Sequence, residues 1–325
     1  MNDRQARNYI QQISKRGSVY GLDQIRNLME RLGNVQEKLS IIHVAGTNGK
    51  GSVCAMTASI LKESGYRTGV YSSPAVFSEE EIISVDGEPI SSQEFAELIT
   101  KVRKACLDLQ SEGLAHPTAF EIETAAAFCY FYRRNCDFVV LETGLGGELD
   151  ATNFITHPLC SVLTSISMDH MAVLGNTLAE IAKAKAGIMK AGCPCVSAVQ
   201  KPEAAAVIKK KAELSGCRLY IAEPDRLADF SYDEKGSYFK VLSEQQLQNI
   251  FVNDKQGECP KPMPGHQKTD FETELSGKTF YCALAGEFQR QNIACVLSVM
   301  IALREKGIQI TAEAVRAGLA IVQLH

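Results

Sequence analysis

Residues His43-Val44-Ala45-Gly46-Thr47-Asn48-Gly49-Lys50-Gly51-Ser52 constrain the fold more than any other stretch of this chain. Leu39 to Val44 is a short, mostly apolar, β-prone run, and from Ser52 to Leu61 the pattern changes to helix formers with few breakers. A strand that passes through glycines into a helix makes a phosphate-binding turn. Gly46, Gly49 and Gly51 let backbone N–H groups face an anion without a Cβ in the way. Lys50 adds a mobile positive charge, and the helix near Ser52 adds the positive end of its dipole. A glycine-rich turn alone is common; lysine flanked by glycines and followed by serine, at a strand-to-helix switch, selects the phosphate-binding reading. Two residues, Thr47 and Asn48, separate Gly46 from the Gly-Lys pair, where the generic Walker loop has four.

The rest of the chain alternates in the same manner. Helical periodicity covers Asp3 to Ser14, Leu22 to Leu32, Gln93 to Leu107, Phe120 to Arg134, Leu178 to Met189 and Pro202 to Leu214. Strand-like runs cover Gly69 to Ser72, Asp137 to Glu142, Cys160 to Ile166 and Pro194 to Ala198. Strands separated by helices of this length imply an α/β fold, a mainly parallel sheet with helices on both faces. From about Ala222 short alternating runs, including Tyr238 to Leu242 and Lys278 to Leu284, surround a polar stretch, Asn253 to Gly277. They read as a small antiparallel β addition, at about 222–284, with a mobile loop. Helices near Gln289 to Lys306 and Thr311 to Leu319 follow, the second capped by Thr311 with Gly318 near its end.

Composition narrows the partners. A formal charge of −4 and a pI near 5.9 give no basis for nucleic acid or an anionic membrane, and small charged metabolites fit better. The polar start Met-Asn-Asp-Arg-Gln lacks the apolar core of a signal peptide, and the longest apolar run, Ile293 to Leu303, is short of the ~20 residues that span a bilayer. A cytoplasmic protein is expected. The eleven cysteines lie mostly in apolar segments, as reduced core cysteines do, and Cys193 and Cys195 are too close together for a zinc knuckle.

Open α/β sheets place ligands at the carboxyl ends of their strands, and three further clusters fall there. Asp137 to Leu141 ends in Glu142-Thr143-Gly144-Leu145-Gly146-Gly147-Glu148, a carboxylate at the tip of a buried strand before a glycine run. This suits Glu142 as a magnesium ligand and leaves Glu148 as a solvated acid. Cys160 to Ile166 leads to Asp169-His170, then to a helix with Lys183, Lys185 and Lys190. His170, following a strand of the same sheet, leans toward function. Lys185 stands among Ala184, Ala186 and Gly187, where either a solvated charge or a functional amine is consistent with the sequence. Tyr71-Ser72-Ser73-Pro74 closes another strand and offers a hydroxyl.

These stretches resemble folylpolyglutamate and dihydrofolate synthases, of the Mur ligase superfamily. The resemblance runs through His43 to Ser52, Ser72-Ser73-Pro74, Glu142 to Asn153, Asp169-His170 with Leu174-Gly175, Glu180 through Lys185-Ala186-Gly187-Ile188 to Lys190, and Gly286 to Asn292, in the family's order and spacing. It implies that Gly46, Thr47, Asn48, Gly49, Lys50, Gly51 and Ser52 hold the phosphates of ATP. It implies one Mg2+ near Ser52 and a second on Ser73, Glu142 and His170, catalytic roles for Lys50, His170 and Lys185, and carbamylation of Lys185. Phe120, Asp150 and Ala151 resemble positions near the pterin-bearing substrate. The implied reaction adds glutamate to a carboxylate of folate or dihydropteroate through an acyl phosphate, within folate and one-carbon metabolism.

Three departures stand out. Glu148 replaces an arginine common in the family, Glu79-Glu80-Glu81-Ile82 replaces Asn-Glu-Arg-Ile, and the chain stops at Leu324-His325, where the family continues into a second α/β domain. The expectation is therefore an ATP-binding ligase domain at 1–288 and a helical linker at 289–325. Such a chain is expected to bind ATP weakly and to form little amide by itself. The alternatives are a cell-wall peptide ligase, which would carry threonine at Gly51 and a nucleotide-sugar domain before the phosphate loop, and a non-catalytic ATP-binding module.

Overall fold

Strand β1 (Ser40–Ala45) runs through the middle of an eight-stranded sheet, in a computed structural model that describes residues 1–15, 17, 21–73, 79–242 and 270–324. It is flanked in parallel by β5 (Phe138–Glu142) and β6 (Cys160–Leu163). Beyond them lie β2 (Thr68–Tyr71) on one side and β7 (Cys195–Ala198), then β8 (Leu219–Ala222), on the other, all parallel. The hairpin β3 (Ile83–Val85) and β4 (Glu88–Pro89) continues the β2 edge antiparallel, giving the order β4-β3-β2-β5-β1-β6-β7-β8. The mainly parallel α/β fold read from the sequence is borne out.

Period-two alternation divides the core. Ile41, Val139 and Leu141 face α1 (Asp3–Ser14), α2 (Asp23–Arg31), α4 (Ser92–Ser111) and α5 (Ala119–Arg133). Ile42, Val44, Val140 and Val162 face α3 (Lys50–Glu63), α10 (Gln289–Glu305) and α11 (Ala312–Ile321). A third group joins Ala45, Leu163 and Cys195 to α7 (Leu178–Ala186) and α8 (Pro202–Ser215). With helices on both faces, the central strands are apolar at nearly every position. Each fully buried Ile or Val contributes roughly 1.5–3 kcal/mol.

The antiparallel addition is also present, as β9 (Leu227–Tyr232), β10 (Ser237–Val241) and β11 (Thr279–Cys282) in the order β11-β10-β9. Of the loop expected at 253–277, residues 253–269 lie outside the described residues; α9 (Asp270–Leu275) occupies the next six. Pro74 and His325 lie outside them as well. The helices grouped with a linker pack into the core, α10 against α3, β7 and β8 and α11 against α3. Thr311 caps α11 as expected, but Gly318 does not end it. Gly318 lies where α11 crosses α3, and a Cβ there would sit 2.6 Å from Ile60 Cα. Among the described residues no helix is long and apolar enough to cross a membrane, and all ten cysteines are free.

Candidate functional site

The loop Gly46 to Gly49 joins β1 to α3 and is held from both sides. Thr47 and Asn48 donate their backbone N–H groups to Ser165 O at 2.8 and 3.2 Å, and Thr47 Oγ1 accepts from Ser167 N at 3.1 Å. Thr164 to Ser167 is thus drawn onto the loop. That is why β6 stops at Leu163, short of the expected Ile166. Gln200 braces the same segment, donating to Thr164 O at 2.9 Å and accepting from Ile166 N at 3.0 Å. A Cβ on Gly46 would fall 1.8 Å from Thr164 Oγ1, and one on Gly49, at φ +86°, 2.2 Å from Asn292 Oδ1. The glycines are required by close approach as well as by torsion. No side chain caps the start of α3, so its first-turn N–H groups and the positive end of its dipole are left for an anion.

Beside this loop the buried charges gather. Lys50 Nζ lies 3.7 Å from Glu142 Oε1, and Glu142, at the end of β5, is only 5% exposed. Burial pushes its carboxyl up to about 7, against the opposing pull of Lys50 and a hydrogen bond from the Ser73 backbone. Ser73 Oγ is buried with no hydrogen-bond partner among the described residues. Lys185 is 2% exposed and donates from Nζ to Gly46 O at 2.8 Å. The tertiary structure thus resolves the choice left open above: this lysine faces the phosphate loop, not water. Burial, reinforced by the charge of Lys50, lowers its amine to about 8. Ser52 Oγ accepts from Gln289 Nε2 at 3.3 Å, and Gln289 Oε1 from Asn292 Nδ2 at 2.9 Å.

His170 stands in a more open place. Its side chain is 55% exposed, its φ is +49°, and Nε2 lies 3.5 Å from Asp169 Oδ2. Among the described residues no three His, Cys, Asp or Glu side chains form a group that would hold a metal ion.

The glycine run after Glu142 packs against two elements. Gly144 meets the Phe120 ring, where an added Cβ would be 2.7 Å from Cζ, and the Thr118–Glu121 capping box fixes the first turn of α5 that carries Phe120. Gly147 and Gly187 bring the run across the end of α7, and Glu148 N donates to Ala184 O at 2.8 Å. Glu148 itself is exposed, as expected. Asp150 is buried and shapes the loop: it accepts from Leu145 N at 2.8 Å, Thr152 N at 2.9 Å and Thr152 Oγ1 at 2.6 Å. Ala151 begins the buried turn that Asp150 caps. Lys190 donates to Asn153 O at 3.1 Å and so braces this turn.

Reading along the chain missed His43, Gln200, Gln289 and Asn292 as individual parts of this site. A histidine inside an otherwise apolar strand, and amides at the start of a buried helix, were the available signals. His43 is fully buried with Nε2 2.8 Å from Thr152 Oγ1. Since the Thr152 hydroxyl donates to Asp150, the ring donates from Nε2. Burial, helped by Lys190, holds its pKa down at about 3. The unfolded chain therefore binds a proton that the folded chain refuses. Stability is expected to fall by up to about 1.4 kcal/mol per pH unit as pH drops from ~6.5 toward the folded value. Urea unfolding of wild type and His43→Asn at pH 7.5 and 5 checks this; equal losses in the two proteins would contradict it.

Comparison with known proteins shows the family and the fold. The Mur ligase middle domain matches residues 44–300. The dihydrofolate synthase/folylpolyglutamate synthase of Bacillus subtilis (strain 168) is 40% identical over 319 residues, covering 97% of this chain and 67% of the relative. The folylpolyglutamate synthase of Lacticaseibacillus casei is 34% identical over 298 residues, and the chain spans 63% of its length. The apo form of L. casei FPGS superposes with a TM-score of 0.84 at 31% identity, over 99% of this chain and 72% of that one. An FPGS complex with AMPPCP and folate gives 0.83 at 31% identity, over 98% and 72%.

Proposed function

The chain belongs to the folylpolyglutamate and dihydrofolate synthase family of Mur ligases, and on that footing we propose that it uses ATP to join glutamate to a carboxylate of folate or dihydropteroate. The observation that carries the reading is the uncapped start of α3, with Lys50 at its first position and Glu142 3.7 Å from the lysine amine. Backbone N–H groups of Gly46 to Ser52 would receive the ATP phosphates, and Lys50 would offset the charge on the transferred group. The acceptor carboxylate attacks the γ-phosphorus, releasing ADP and leaving an acyl phosphate. The amine of glutamate then attacks the acyl carbon, expelling phosphate and forming the amide. Phe120, Asp150 and Ala151 would border the acceptor.

The donor set suits Mg2+. Glu142 supplies a hard oxygen, Ser73 Oγ is buried without a partner among the described residues, and Ser52 Oγ stands in the first turn of α3. Ser73 and Glu142 with His170 would hold one ion and Ser52 would stand near another, and when bound these ions supply charge neutralisation. Lys185, with its lowered pKa, reaches the unprotonated form that carbamylation requires, and the product would be an anion beside Gly46 O.

Calorimetric titration with ATP, with and without magnesium, tests the nucleotide site. Assays of ADP release and of labelled glutamate incorporation, with folate, dihydropteroate or a cell-wall peptide precursor as acceptor, test the reaction. Binding that ignores magnesium, or incorporation into the cell-wall acceptor alone, contradicts the proposal. Glu142→Gln is expected to weaken magnesium-dependent ATP binding by roughly tenfold. Its folded carboxyl lies above the unfolded value, so the folded state holds the extra proton, and wild-type stability falls as pH rises from about 4.5 through 7. The glutamine variant removes that slope. Parallel stability curves for the two proteins between pH 5 and 8 would count against the burial account.

A further inference from the structure

The thiols of Cys193 and Cys217 take no part in the nucleotide site, and the fold brings the two residues together at one carbonyl, Lys190 O. β7 and β8 run parallel, with Cys195 opposite Leu219 and Val196 opposite Tyr220. Cys193 and Cys217 each precede their strand by two residues, at the turn where Cys193 N folds back to Lys190 O. The chains remain bonded there: Cys195 N donates to Arg218 O at 2.9 Å and Gly192 N to Ser215 O at 3.0 Å. Both cysteines converge on one acceptor. Lys190 O takes the backbone N–H of Cys193 at 3.1 Å and the thiol of Cys217 at 3.0 Å.

Two groups bonded to one carbonyl oxygen keep their residues close, and a disulfide bridges Cα atoms about 4.4–6.8 Å apart. Cys217 and Leu219 pack with Cys195 under α8, and the Cys193 thiol donates to Ala191 O at 3.7 Å in the adjoining turn. Cys217 lines an open cavity of 710 Å³ between α8 and β8, walled by Ala205, Ile208 and Ala212 on one side and by Leu219 and Ile221 on the other. Cys193 is 7% exposed, whereas Cys195, two residues further along β7, is fully enclosed. A small oxidant therefore has a route to Cys217.

We propose that Cys193 and Cys217 form an oxidisable dithiol, closed to a disulfide by a peroxide that enters this cavity. The sulfur of Cys217 attacks one peroxide oxygen, the O–O bond breaks, and water leaves after protonation, giving a sulfenic acid. The sulfur of Cys193 then forms the S–S bond and expels the second oxygen as water. The peroxide is reduced, and the two thiol hydrogens end in the two waters. The bond closes a loop around α8 and ties the open edge of the sheet. It lies at the starts of β7 and β8, whereas the phosphate loop follows the end of β1, so the nucleotide site is untouched.

The test treats the folded chain with hydrogen peroxide, blocks free thiols with N-ethylmaleimide and maps peptides without reduction. The expected product carries one bond between the Cys193 and Cys217 peptides. Its thermal midpoint rises by roughly 5 °C, and its ATP affinity changes less than twofold. Cys195→Ser retains the bond, while Cys193→Ser and Cys217→Ser lose both the bond and the midpoint shift. If Cys217 bonds to Cys195, or if the two thiols are oxidised separately to sulfinic acids, the proposal is overturned. Mapping of the unmodified chain decides this even where a serine variant does not fold.

Discussion

Replacing Lys50 with alanine is expected to lower ATP affinity by roughly 100-fold, the equivalent of about 3 kcal/mol for removing one cation from a partly buried charged site. The lysine opens α3 beside the uncapped N–H groups, and its amine is the cation 3.7 Å from Glu142. Alanine favours the helix and removes no core volume, so the fold is expected to persist. Glu142 loses the positive charge that opposes its burial and takes up a proton near neutral pH, which spares the variant a buried anion without a partner. Lys185 also loses a repulsive neighbour, so its amine is expected to titrate at higher pH than in the wild type. Calorimetry with ATP and magnesium measures the first effect, and lysine-selective NMR measures the second. A folded Lys50→Ala chain that binds ATP as the wild type does would remove the phosphate-loop assignment.

The second large effect is expected from Gly187→Ala, at about 3 kcal/mol of lost stability and a thermal midpoint lowered by roughly 6 °C. A Cβ at Gly187 would fall 2.4 Å from Glu148 Cβ and 2.5 Å from Glu148 Cα, and backbone cannot swing aside as a side-chain tip can. At the same crossing a Cβ on Gly147 would fall 2.7 Å from Lys185 O and 2.8 Å from Ala184 O. Forcing it apart would move Lys185 off Gly46 O, so ATP binding is expected to weaken together with stability. Denaturant unfolding and ATP titration of the same protein test both halves. An unchanged unfolding midpoint would mean that the crossing is looser than the distances indicate.

The two loops that cross there differ in how far they can be read along the chain. Glu142 at the tip of an apolar run, and the glycines after it, form a local pattern, and their place at the end of β5 follows from it. That Gly147 must meet Ala184 and Lys185, and Gly187 must meet Glu148, does not, because these contacts join segments far apart in the chain. Gly318 shows the same limit. Its position near a helix end resembles a cap, yet the reason for glycine is Ile60 of α3. Cys193 was weighed against its neighbour Cys195, while the fold brings it to Cys217 at Lys190 O.

The sequence by itself determined the alternation of strands and helices, the phosphate-loop turn and the residues at the strand ends. Hydrophobic period, glycine torsion and helix capping act over a few residues, so they are written locally. Only the tertiary structure decided which ionisable groups lost their water. Lys185 and the exposed Lys183 lie two residues apart in one helix, but it is Lys185 that points at Gly46 O, and burial lowers its amine to about 8. His43 lies in a strand that reads as core, and it becomes a neutral donor because Thr152 and Asp150 arrive from another loop. Desolvation depends on everything packed around a group, and that packing joins residues that the chain keeps far apart.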